Sequence, residues 1–143
     1  VRAYLLDVNL LIALSDPMHV HHDVAHRWFA SVGAAAWATC PITENGFVRI
    51  TSHAAYPNRP GDAVVMLDLL RRLCAHPGHR FWPDSVSLRE ILQAGTALTH
   101  AQVTDAYLLG LAVQQGGRLA TFDRRFAAAA IPGGVDALTL VPD

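Results

Sequence analysis

The sequence predicts a single α/β domain over residues 1–143, with a central parallel β-sheet flanked by helices. Three observations predict it. Short apolar runs recur along the chain, segments with helical spacing separate them, and 143 residues is the length of one domain. Strands that alternate with helices imply a parallel sheet, because parallel neighbours need a crossover connection.

Ala3 to Val8 (AYLLDV) reads as a buried strand, and a helical turn follows from about Asn9 to Leu14. His21 to Val32 carries Val24, Ala25, Trp28, Phe29 and Val32 on one stripe, and Gly33 ends it. Ala36 to Thr39 is a second strand. Pro41 then opens a helix that runs to about Ser52, proline being tolerated in a first turn where its missing N–H is not needed. After a loop holding Tyr56, Pro57, Pro60 and Gly61, Asp62 to Ala75 is helical, with Val65, Leu69 and Leu73 inward and Arg71 and Arg72 outward. Arg80 to Trp82 is a short strand and Ser87 to Gln93 a short helix. Thr99 and Gln102 form a capping box for a helix over Ala101 to Gln115, which Gly116 and Gly117 stop. Arg118 to Phe122 and Leu138 to Val141 are the last strands; Gly133 and Gly134, after Pro132, read as a turn, and the alanines 127–130 as good helix formers.

Composition excludes several classes. Apolar residues make up 52% and charged residues 16%, which rules out disorder. All 11 bases are arginine, so there is no Walker A phosphate loop and no Schiff-base lysine. A net charge of −1 gives no global attraction to nucleic acid, and any polyanion must be held locally. Cys40 and Cys74 lie far apart with no CxxC pairing, which suggests neither a zinc knuckle nor a disulfide framework and fits a reducing cytoplasm. Asp7 and Asn9 interrupt the N-terminal apolar run, and Trp28 to Thr43 is too short and too broken for a membrane span. There is no GxSxG elbow or GxGxxG loop.

The acids carry the functional signal. Ligands of an open parallel sheet bind beyond the carboxyl ends of its strands. Asp7 and Asp123 sit there, each before an expected helix, where an aspartate also serves as an ordinary N-cap. Glu44 shares a helical face with Phe47, Val48 and Thr51, and Asp105 shares one with Ala101, Leu108, Leu109 and Ala112. Inward-facing carboxylates need partners, for which Arg49 and Arg118 are the ordinary candidates. Four acids converging at one sheet edge would instead raise one another's pKa unless a cation sat among them. With no lysine to hand, a metal ion is economical, and all-oxygen ligation favours Mg2+, or Mn2+, over zinc.

In order and spacing, LLDVNLL, TENGFVRI, TDAYLLGLA and LATFDRRF resemble the PIN domains of VapC-type toxins from bacterial toxin–antitoxin pairs, over essentially the whole chain. The resemblance implies a PIN-like fold, an acidic site formed by Asp7, Glu44, Asp105 and Asp123, and supporting roles for Thr121 and Asn9. It implies a Mg2+-dependent endoribonuclease that leaves 5′-phosphate and 3′-hydroxyl ends. It also implies a homodimer silenced by a cognate VapB-type antitoxin. Asp7 and Asp105 are then expected to hold the ion most directly, with Asp123 and Glu44 acting through water. Some relatives have a further acid near the last aspartate, where Arg124 and Arg125 stand here; these are candidate phosphate contacts, or else members of a surface ion pair. An antitoxin segment is expected to cover apolar surface around Leu10 to Phe29 and to place an arginine in the acidic pocket.

Two other readings stand beside this one: a catalytically inactive PIN-like module that binds RNA or protein, and a metal-independent ribonuclease built on histidine. His19, His21, His22 and His26 invite the second; His22 and His26 are one helical turn apart but have no third ligand nearby in sequence. Trp28, Phe29, Trp37 and Trp82 are expected in the core rather than stacked on bases.

Overall fold

In the computed structural model, which describes residues 2–142, five strands build one sheet. They are β1 (Tyr4–Leu6), β2 (Trp37–Thr39), β3 (His79–Phe81), β4 (Arg118–Thr121) and β5 (Leu138–Leu140), in the order β3-β2-β1-β4-β5. Every pairing is parallel, as the alternation of strands and helices predicts. Side-chain alternation divides the interior in two. Leu5, Ala38 and Leu119 face one apolar layer, and Leu6, Trp37 and Ala120 face the other.

The second layer is built by α1 (Val8–Ser15), α2 (His22–Ser31), α3 (Pro41–Thr51) and α4 (Ala63–Cys74), which contribute Leu10, Trp28, Phe47 and Met66. The first is covered mainly by α5 (Leu88–Ile91), α6 (Val103–Gln114) and α7 (Gly134–Ala137). Trp28, Trp37 and Trp82 are buried, as the core reading requires.

Several boundaries differ from expectation for local reasons. β1 stops at Leu6 because Asp7 already caps α1, its carboxylate accepting the Val8 N–H at 2.8 Å. Thr99 and Gln102 do form a capping box, but the turn they open is 3-10, and the α-helix starts at Val103. Gly116, at φ +69°, supplies the left-handed residue that ends α6. The alanines 127–130 make only one 3-10 turn, and Gly134 opens α7 rather than completing a turn.

Two corrections concern surfaces. In α4 Leu69 and Leu73 pack inward as expected, beside the buried Met66 and Leu70, but Val65 is 48% exposed and falls outside the stripe. Around Leu10 to Phe29 the chain itself buries Leu10, Leu11, Ile12, Ala13, Ala25 and Trp28, and the apolar surface left exposed there is Met18 and Val20, between α1 and α2. Further exposed apolar side chains stand on α3 and α4, at Ile50, Val64, Val65 and Leu67. Among the described residues no helix is long and apolar enough to cross a membrane.

Candidate active site

Strand order reverses between β1 and β4, and the crevice beyond their carboxyl ends is where this topology leaves room for a ligand. Asp7 follows β1, and Thr121 closes β4. The buried Thr121 hydroxyl donates to Asp7 Oδ2 at 2.7 Å and accepts from Asn9 Nδ2 at 3.3 Å and the Asp123 N–H at 3.0 Å. One donated and two accepted bonds exhaust a hydroxyl, so Thr121 locks Asp7, Asn9 and Asp123 into one unit. Asn9 Oδ1 is buried beside this unit with no donor of its own among the described residues.

Asp105 enters from the first turn of α6, on the other side of a pocket of about 550 Å³. Asp7, Asn45, Gly46, Arg49, Thr104 and Asp105 line it, together with apolar side chains of α1, α3 and α6. Burial, then the charges of Asp7 and Asp123, push Asp105 up from 3.8 to about 6, with Arg125 opposing. Asp7 is raised as well, chiefly by burial and further by Asp123, while its bonds to Thr121 and Val8 pull it down. Three carboxylates thus share one electrostatic environment whose deficit is positive charge. Their all-oxygen donor set, with lone pairs still free on Asp7 and Asp105, fits a hard divalent cation.

Glu44 is not part of this group, which corrects the expected convergence of four acids to three. Its helical neighbours were read correctly, but that face turns elsewhere. On α3 the pocket-lining positions are Ile42, Asn45, Gly46, Arg49 and Ile50, and Glu44 lies on the other side with Phe47 and Thr51. There its Oε2 accepts the Thr39 hydroxyl at 2.7 Å. Among the described residues neither ordinary ion pair forms: Glu44 bonds Thr39, and Arg118 donates to the Asp136 carbonyl.

Arg125 pairs with Asp123, its Nε lying 3.4 Å from Oδ1, and with its side chain 92% exposed it has the character of the surface ion pair considered above. Arg124 is exposed on the same turn. Asn45 and Arg49 were missed as site residues, although their i, i+4 spacing on one face was available. What was lacking was knowledge of which α3 face meets Asp7. The histidines have structural partners: His22 Nδ1 and His26 Nε2 bond the carbonyls of Ala13 and Leu14 at the end of α1, and His21 packs on Phe122.

Comparison with known proteins agrees with this architecture. The PIN domain family matches residues 4–132. Ribonuclease VapC39 of Mycobacterium tuberculosis is 44% identical over 137 residues, covering 94% of this chain and 98% of its own. Ribonuclease VapC44 of the same organism is 44% identical over 131 residues, covering 90% and 92%. Ribonuclease VapC38 is 46% identical over 122 residues, covering 83% and 84%. The crystal structure of Mycobacterium tuberculosis VapC20, a sarcin–ricin loop cleaving toxin, shares the fold with a TM-score of 0.64 at 16% identity, over 91% of this chain and 97% of that one.

Proposed function

The chain belongs to the PIN domain family, among ribonuclease toxins of the VapC type, and from that premise we propose that it is a Mg2+-dependent endoribonuclease held inactive by a cognate VapB-type antitoxin. The observation that carries this reading is the gathering of Asp7, Asp105 and Asp123 at the β1–β4 crevice, with Asp105 pushed up to about 6 by burial and by the other two.

Asp7 and Asp105 would hold the ion most directly, with Asp123 acting through water. Mg2+, or Mn2+ in its place, supplies a Lewis acid for the phosphoryl oxygens and a route to nucleophilic water at neutral pH. The chain's own residues do the positioning. Thr121 and the Val8 N–H each take one lone pair of Asp7, one on each carboxylate oxygen, and together fix its plane. Thr121 also ties Asp123 and Asn9 to the same strand end. Arg49, on the pocket wall, and Arg125, beside Asp123, would contact phosphate oxygens, which a planar guanidinium meets through two N–H groups. Arg124 extends the same basic rim. Attack of water on phosphorus with departure of the 3′-oxygen, the course the family resemblance implies, would leave a 5′-phosphate and a 3′-hydroxyl without use of the ribose 2′-hydroxyl.

The partners of this reading are an RNA substrate, a VapB-type antitoxin and a second copy of the chain. The exposed apolar side chains of α3 and α4, and Met18 and Val20 between α1 and α2, would gain from such a contact. An antitoxin arginine entering the pocket would supply the positive charge that the three carboxylates lack.

The test is cleavage of RNA by protein freed of antitoxin. Cleavage that requires Mg2+, stops with chelator, leaves 3′-hydroxyl ends and is lost in Asp7→Asn supports the reading. Cyclic phosphate ends in chelator would point to histidine chemistry. No cleavage of total RNA would leave a module that binds RNA or protein.

A further inference from the structure

On the opposite face of the same sheet edge, three side chains from three elements meet without having been used by the nuclease reading. Glu44 projects from α3, Cys74 ends α4, and His79 opens the edge strand β3. A carboxylate oxygen, the thiol sulfur and an imidazole nitrogen of these residues all lie within 4.8 Å of one another. All three are half-buried, and the buried Thr39 hydroxyl stands in their midst. It donates to Glu44 Oε2 at 2.7 Å; having a single proton, it must then accept from His79 Nε2, also at 2.7 Å. It also pulls the Cys74 thiol down, against the burial that raises it.

We propose that Glu44, Cys74 and His79 form a second metal site, distinct from the acidic pocket, that takes a thiophilic divalent transition metal, Zn2+ in the first instance. The donor set argues for it. One sulfur, one nitrogen and one oxygen are the ligands zinc takes, whereas Mg2+ and Ca2+ take oxygen alone. Charge agrees: a thiolate, a carboxylate and a neutral imidazole sum to the charge that Zn2+ cancels, which suits a half-buried site. Tetrahedral ligation at the usual bond lengths sets ligand atoms roughly 3.3–3.8 Å apart, so closing the present cluster takes about 1 Å of side-chain movement. The fourth position falls to water or the Thr39 hydroxyl.

The surroundings favour the ligand forms. Burial lowers His79 and so keeps the imidazole neutral, and the Trp37 ring packs edge-on against it with centroids 4.7 Å apart. Without a cation, burial and then the Glu44 charge raise the Cys74 thiol. On binding, the Cys74 proton leaves to solvent and a metal–sulfur bond forms; the proton that His79 shares with Thr39 moves to the far ring nitrogen by exchange with water. Thr39 keeps its bond to Glu44 and orients the carboxylate. The ion would clip β3 and the end of α4 to α3, the helix whose other face walls the acidic pocket.

Co2+ titration of the full chain, stripped with chelator and kept reduced, tests this. One equivalent is expected to give a near-ultraviolet thiolate-to-cobalt band and visible bands of tetrahedral intensity, both abolished by Zn2+. Cys74→Ser removes the near-ultraviolet band, and His79→Gln weakens Zn2+ binding at least tenfold. Cys40→Ser and Asp7→Asn keep both properties, which separates this site from the nuclease pocket. Absence of a thiolate band in the wild-type chain overturns the proposal, as does a band that survives in Cys74→Ser. Should Cys74→Ser fail to fold, unchanged Zn2+ affinity in His79→Gln overturns it alone.

Discussion

Thr121 and Thr39 occupy matching places in the sheet. Each closes a strand that flanks β1, each is fully buried, and each hydroxyl joins side chains from several elements. They face opposite layers, Thr121 in line with Leu119 and Thr39 in line with Trp37. Around Thr121 stand Asp7, Asn9 and Asp123, all oxygen and amide; around Thr39 stand Glu44, His79 and Cys74. One sheet edge therefore offers hard donors on one face and soft donors on the other. The difference lies in the partners, since the hydroxyl is the same in both.

The largest effect expected separates the acids of the two faces. Asp105→Asn is expected to lower kcat for RNA cleavage on the order of 10²–10³-fold, because charge stabilisation at the reacting phosphate is lost. Glu44→Gln is expected to cost at least about tenfold less, since Glu44 engages Thr39 and lies on the far side of α3. Single-turnover rates at saturating Mg2+ measure both. Equal losses would put Glu44 back in the nuclease site and break the comparison.

Next in size are the hydroxyls themselves. Thr121→Val and Thr39→Val each strip a buried hydroxyl from a hydrogen-bonded unit, and each is expected to cost about 1–3 kcal/mol in denaturant unfolding. Only Thr121→Val is expected to lower cleavage as well, by roughly 10–100-fold, the usual penalty for removing the group that orients a metal ligand.

Smaller still is a pH effect that belongs to the acidic face alone. Asp105 is raised from 3.8 to about 6, and Asp7 is raised too. A raised folded-state value means that the folded protein holds its proton more tightly than the unfolded chain. The contribution is therefore complete below about 3.8 and lost as pH climbs through about 6. Asp105 is half-exposed, so screening limits the loss to about 1–2 kcal/mol. Metal-free wild-type protein is expected to lose that stability between pH 4 and pH 7 relative to Asp105→Asn, and Mg2+ is expected to restore it. A pH-independent difference in melting temperature would contradict the shared electrostatic environment.

How much of this was legible from the chain depends on the kind of information each feature needs. The parallel sheet, and Asp7 and Asp123 at its edge, follow from apolar runs that end in an acid. Asp105 follows from its helical face, which does meet the crevice. Glu44 has an equally clear face, but periodicity only relates residues of one helix to each other; it does not say whether that face meets α6 or α4. For the same reason Asn45 and Arg49 escaped notice. Cys74 and His79 left no motif because their partner Glu44 lies 30 and 35 residues upstream on a separate element, and ligands assembled by topology have no diagnostic spacing.

The smallest expected effect falls on α3, the one element that serves both faces. Gly46 packs against the start of α1 in the pocket wall, and a Cβ there would sit 3.0 Å from Val8 Cγ2. Gly46→Ala sets two terms against each other. Alanine favours the helix by about 0.5–1 kcal/mol over glycine, and the tight contact with Val8 opposes it by a similar amount. Stability is expected to change by less than about 1 kcal/mol in either direction. Cleavage is another matter, because Val8 donates to Asp7 through its own N–H, and a shift of a few tenths of an ångström in Val8 is passed to the carboxylate. A severalfold fall in kcat, with Co2+ binding at the Cys74 side unchanged, is the expected pair of results. If both properties changed together, α3 would be moving as a rigid body and coupling the two faces; if neither changed, Val8 would have rotated away and Asp7 would owe its position to Thr121 alone.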